Sequence, residues 1–177
     1  QFINTIALEG GNEKANMRFS YTNNATSGIL PSSELDRHNF NLRSFANLTD
    51  ELTIDAKVTF FHQEMKNRAV QGTEGILAYV YPMPRNVMLD DLKIYQNPEE
   101  SLDVLTYSSS GGNPYWILNH DKREDTRQRW SGFFKVNYQF TNWLSAFARV
   151  GTDIVTTKIE TVDMPGHHFY GSGRFNF

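Results

Sequence analysis

Between Arg129 and Phe140 the side chains alternate with a period of two. Trp130, Gly132, Phe134, Val136, Tyr138 and Phe140 fall on one side, and Arg129, Ser131, Lys135, Asn137 and Gln139 on the other, with Phe133 breaking the rule. A helix cannot present such a pattern as one apolar stripe, because its period is 3.6 residues; a strand turns successive side chains to opposite faces. The same alternation recurs along the chain. Thr53–Gln63 sets Ile54, Ala56, Val58 and Phe60 against Asp55, Lys57, Thr59 and Gln63, with Phe61 the exception. Asn39–Leu48, Leu144–Asp153 and Ala15–Thr22 repeat it, Ile3–Glu9 repeats it more weakly, and Phe169–Phe177 reads as the start of a further strand. Alternation this persistent predicts an all-β chain.

The links between these segments are unequal. Gly10–Lys14, Leu48–Leu52 and Thr141–Trp143 are short and carry the Gly, Asn, Asp and Thr that tight turns need. Residues 23–37, 66–126 and about 156–168 are expected to be long links. Within the longest, Asn97-Pro98-Glu99-Glu100 is a helix start, with an N-cap residue followed by Pro at the first position, so a helix is expected over 98–105. A further turn of helix is expected over 74–80, stopped by Pro82. One rim of tight turns and one of long loops is the plan of an up-and-down outer-membrane barrel.

Two destinations compete for the apolar sides: a shared protein core, as in a β-sandwich, or lipid. The strands reach about ten residues, enough to cross a bilayer at a tilt, where globular strands average about five or six. Tyr138, Phe140 and Trp143 gather beside a short turn, where an interfacial girdle lies in a barrel. Arg18, Arg43, Asp55, Lys57, Lys135 and Arg149 lie deep in the polar sides, as a wet lumen permits. These features favour lipid. The mean hydropathy of −0.52 is no objection, since a barrel turns only alternate residues outward.

The 177 residues suit one domain, and the chain has no cysteine, which excludes disulfides and thiolate metal sites. A net charge of −3 with no Lys/Arg stripe gives no reason to expect nucleic acid. Gln1 opens inside an alternating pattern without a signal-type segment, so an internal portion of a longer protein is expected.

In order along the chain, GGNEKANMRFSYTNNATSGILP, RHNFNLR, LTDELTIDAKVTF, MPRNV, NPYWIL and RWSGFFKVNYQFTNWLSAFARVGTD together resemble the SusC/RagA family of TonB-linked outer-membrane transporters. The resemblance implies a plugged barrel of about 22 strands, import of a nutrient (glycan or oligopeptide), a SusD-like surface lipoprotein as partner, and coupling to TonB through an N-terminal region. The family's coupling box and plug have no counterpart in these residues, and about seven strand segments are too few to close such a barrel. All of 1–177 is therefore expected to belong to one transmembrane barrel domain, with 66–126 as an extracellular loop. An alternative is a complete small barrel of about eight strands with a structural or adhesion role, in which the alternating Phe169, Phe175 and Phe177 would end the last strand.

The ligand-like residues are Tyr79, Tyr81, Arg85, Asn86, Asn113, Tyr115 and Trp116, all in the long loop. Rings stack on sugar or peptide faces while amides and guanidinium groups orient them. The competing reading, which the Pro-flanked motifs favour, is that MPRNV and NPYW anchor the loop; contact with a SusD-like partner is a third use. No metal site or cofactor is expected. His167 and His168 would point to opposite faces of a strand. The acidic residues Asp90, Asp91, Glu99, Glu100 and Asp103 lack calcium-loop spacing. No GxSxG, HExxH or cysteine nucleophile is present, so no enzymatic activity is expected.

Overall fold

A computed structural model describes residues 1–68, 70, 72, 75–95 and 113–162. It contains six strands, β1 (Phe2–Gly11), β2 (Ala15–Ser27), β3 (Glu34–Asn47), β4 (Leu52–Lys66), β5 (Lys122–Thr141) and β6 (Leu144–Val162). They lie in one antiparallel sheet in sequence order, with β1 and β6 at its edges, unpaired on their outer sides among the described residues. Three short helices, α1 (Ile76–Val80), α2 (Leu89–Lys93) and α3 (Pro114–His120), occupy the link between β4 and β5. The chain divides into two compact units. Residues 1–27, 35–65 and 125–158 make up the first, which is the body of the sheet; residues 28–34, the described part of 66–124 and residues 159–162 belong to the second.

Each short turn is closed by a side-chain oxygen. Asn12 Oδ1 accepts from the backbone N–H groups of Lys14 (2.9 Å) and Ala15 (2.8 Å). Thr49 Oγ1 accepts from those of Glu51 (3.2 Å) and Leu52 (3.1 Å), and Thr141 Oγ1 from that of Leu144 (3.1 Å). TDEL and TNWL thus use one device, in which a threonine hydroxyl captures the N–H three residues on and starts the returning strand.

The opposite rim departs from expectation. The link expected over 23–37 shrinks to the tight connection between Ser27 and Glu34, where the Gly28 N–H donates to the Ser33 carbonyl (2.7 Å). Strand β5 begins at Lys122 and β6 continues to Val162. Backbone ladder bonds do not require alternation, so strands continue past the residues that carry the period. Alternation located the strands and understated their length. The expected turn of helix over 74–80 is α1, while the expected helix over 98–105 and strand over 169–177 lie outside the described residues.

Facing pairs assign the two sides. In the β1–β2 register Thr5 lies opposite Thr22 and Leu8 opposite Phe19. The polar side is tied across strands by Arg37 Nε donating to Gln63 Oε1 (2.9 Å), Thr59 Oγ1 to Asn41 Oδ1 (2.9 Å) and Thr53 Oγ1 to Asn47 Oδ1 (3.0 Å). On the apolar side a row of rings crosses four strands. Tyr21 meets Phe40 (4.6 Å between centroids), Phe40 meets Phe60 (6.0 Å) and Phe60 meets Trp130 (4.3 Å). Tyr138 and Phe140 form the second aromatic level, near the short turn. Trp130 and Phe140 are ten residues apart on β5. At ~3.3 Å per residue they lie about 33 Å apart along the strand.

The buried apolar residues among those described are Tyr79, Leu92, Trp116 and Ile117, all in the second unit. The sheet contributes none. On its apolar side Val58 is 48% exposed, Trp130 50% and Val150 67%. No second layer covers that side among the described residues, as a β-sandwich would require.

Candidate functional site

The seven ligand-like loop residues separate into anchors and exposed groups. Asn113 is the N-cap of α3. Its Oδ1 accepts from the N–H groups of Tyr115 (2.9 Å) and Trp116 (3.4 Å), while its Nδ2 donates to the Leu92 carbonyl (2.9 Å), joining α3 to α2. Pro114 then occupies the first turn with its fixed φ. This is the Asn-Pro signal that marks 97–98, and it was equally legible at 113–114. Trp116 and Ile117 pack with Tyr79 of α1 as a small core, with Ile76 and Tyr95 against it. The His120 ring stacks on Trp116 (4.8 Å, 8° between planes) and meets Tyr95 edge-on (5.5 Å). Tyr79, Asn113 and Trp116 therefore hold the loop together. Tyr115 is half-buried, and Tyr81, Arg85 and Asn86 are exposed.

In α2 the Lys93 ammonium reaches Asp90 (2.7 Å), and the pairing holds the Asp90 carboxyl below its usual range and lifts the lysine. Both groups are fully exposed, so the pair orders a helix end and leaves the loop's stability to its apolar core. Among the described residues no group of three or more His or carboxylate side chains is gathered for a metal ion. Glu99, Glu100, Asp103, His167 and His168 lie outside those residues.

Sequence reasoning treated the polar side of the sheet as a tolerated location for charge and missed its organisation. Arg43 forms a two-point bond with Asp55 (Nε–Oδ1 3.2 Å, Nη2–Oδ2 3.1 Å). Arg129 does the same with Asp153, its Nε–Oδ1 bond being 2.8 Å. Arg149 lies over the Phe133 ring (4.1 Å) and Lys135 over that of Phe147 (4.9 Å). Phe133, an exception to the alternation, thus seats a cation on the polar side, and the same break at Phe61 was the available signal that rings stand there among charges. Arg18, Arg37, Arg43, Lys57, Arg127, Arg129, Lys135 and Arg149 share this side with Glu9, Asp55, Asp125 and Asp153. In a chain of net charge −3 the sheet's polar side is nonetheless cationic.

Such a surface offers hydrogen-bond donors, amides and rings, and suits recognition of polar or anionic molecules. The fold and its two sides define an open antiparallel sheet with one apolar and one cationic side. No protein-family model matches the chain, and a search of curated proteins finds no match.

Proposed function

We propose that this chain is part of the wall of an outer-membrane β-barrel of the SusC/RagA type, which imports an oligosaccharide or oligopeptide with energy from TonB and with a SusD-like lipoprotein at its surface. The observation that carries the membrane reading is the uncovered apolar side of the sheet, with a ring row across four strands at one end and Tyr138 and Phe140 near the short turn; at a barrel's tilt of ~40° the ten residues from Trp130 to Phe140 span about 25 Å. In water so continuous a patch marks an interaction surface; bilayer lipid is an occupant whose thickness matches it. The edges at β1 and β6, without partners among the described residues, support the same reading, because spanning strands must pair on both sides and further strands complete a barrel. The ordered resemblance of the segments named above supplies the family, and with it import, TonB and the lipoprotein partner. The loop core built on Tyr79 and Trp116 leaves Tyr81, Arg85 and Asn86 exposed for partner or cargo.

Single cysteines test the orientation in the full-length protein in outer membranes. Val58 and Val150 belong to the apolar side, Lys57 and Arg149 to the polar one. Cysteines replacing the valines are expected to react with lipid-soluble maleimides and resist water-soluble ones. Those replacing Lys57 and Arg149 are expected to do the reverse, a covering plug being removed where one shields them. Equal labelling at 57 and 58, or the opposite preference, overturns the membrane reading. Import is tested separately, by loss of TonB-dependent growth on the cognate nutrient when the gene is deleted.

A further inference from the structure

On the polar side of the sheet, β3, β4 and β5 line an open groove of about 440 Å³. Two of its cations, Lys57 and Arg127, have no ion-pair partner among the described residues, whereas Arg129 beside them is committed to Asp153. The Phe60–Trp130 contact and the His62–Gln128 bond set Arg127 alongside Gln63. Lys57 is therefore six residues away along the strands, about 20 Å at ~3.3 Å per residue. Between these two charges stands the Phe61 ring, and beside it on the neighbouring strand are the side-chain amides of Asn39 and Asn41.

The groove thus suits a long ligand with separated anionic groups, hydroxyls to meet its amide wall and a flat apolar face. We propose that it binds an acidic oligosaccharide. Carboxylates of the sugar acids sit on Lys57 and Arg127, ring hydroxyls meet the Asn39 and Asn41 amides, and the apolar face of a pyranose lies on Phe61. A peptide that binds by strand addition is excluded, since that mode needs an unpaired sheet edge and the backbone under this groove is already paired on both sides. This inference rests on the membrane reading, in which the polar side faces the aqueous interior of the barrel, and adds the class of cargo.

The test is calorimetric titration of the detergent-solubilised protein, a covering plug being removed as in the cysteine labelling, with tetragalacturonate, and with neutral maltotetraose and tetraglutamate as comparisons. Tetragalacturonate is expected to bind, more weakly as salt rises, and neither comparison ligand to match it. The double variant Lys57→Gln/Arg127→Gln is expected to lose roughly tenfold or more in affinity, because two charge-assisted contacts disappear, while keeping a normal heat-modifiable barrel band. Phe61→Leu is expected to weaken binding without altering its salt dependence, which a purely electrostatic surface would not show. Equal affinity of wild type and double variant, or equal binding of maltotetraose, overturns the proposal. Equal binding of tetraglutamate overturns the saccharide assignment in favour of peptide. A barrel with the expected cysteine labelling that binds none of the three overturns this inference alone, whereas tetragalacturonate binding with reversed labelling overturns the membrane reading alone.

Discussion

Val58 and Lys57 are neighbours in β4, yet they face opposite solvents on the proposed reading. Arg on a lipid face costs about 2–4 kcal/mol at the midplane and far less at the interfaces. Val58→Arg is therefore expected to deplete the heat-modifiable barrel in outer membranes, and Lys57→Arg to leave its amount unchanged; Val150→Arg is expected to behave like Val58→Arg. Gly132, also on the apolar side, has a different constraint. A Cβ there would lie 2.5 Å from the backbone carbonyl oxygen of Lys57. Strand preference favours Val over Gly by up to about 1 kcal/mol, but overpacking against a rigid backbone costs roughly 1–3 kcal/mol. Gly132→Val is expected to lower the denaturant midpoint of the refolded protein; an unchanged or raised midpoint would show that the two strands can separate there at no cost.

At the scale of elements, the sheet's turns and helix α3 rely on the same chemistry, an oxygen side chain satisfying orphan N–H groups. In α3 that role falls to Asn113, which is buried and bonds in both directions. Asn113→Ala removes the cap and leaves the Leu92 carbonyl without this donor, a loss of about 1–3 kcal/mol. Hydrogen exchange over 114–120 is expected to accelerate while protection of β3 and β4 stays constant. Trp116→Ala is expected to expose the same segment to protease by emptying the core it shares with Tyr79. If either substitution reduced barrel assembly itself, the loop would be part of the folding unit of the sheet.

For the whole molecule, an apolar side without a protein layer and two edges without partners, both among the described residues, have a consequence in water. Edges recruit other strands and apolar patches recruit each other. Residues 1–177 produced alone without detergent are expected to elute as polydisperse oligomers and to show no cooperative thermal transition. A monodisperse monomer melting cooperatively would require a core that the sheet does not have among its described residues, and would return the chain to the soluble class. Detergent or lipid is expected to convert the oligomers to smaller, strand-rich species, measurable by light scattering and circular dichroism.

The sequence by itself determined the all-β class, the strand positions, the two sides of each strand and the three tight turns. Each of these depends on neighbours within a few residues, and a period of two or a Thr-x-x-Leu turn is a local signal. The lengths of β5 and β6 were not legible, since a ladder continues as long as a neighbouring strand offers partners, whatever the side chains. Nor was the ring row from Tyr21 through Phe40 and Phe60 to Trp130, whose members are distant in sequence and meet only once register is set. At 113–114 the Asn-Pro cap signal was present, but that Asn113 also holds Leu92 depended on tertiary packing. The same applies to the polar side. Lys57, Phe61 and Arg127 are unremarkable singly, and only the pairing of β4 with β5 brings them into one groove while ion pairs occupy Arg43 and Arg129.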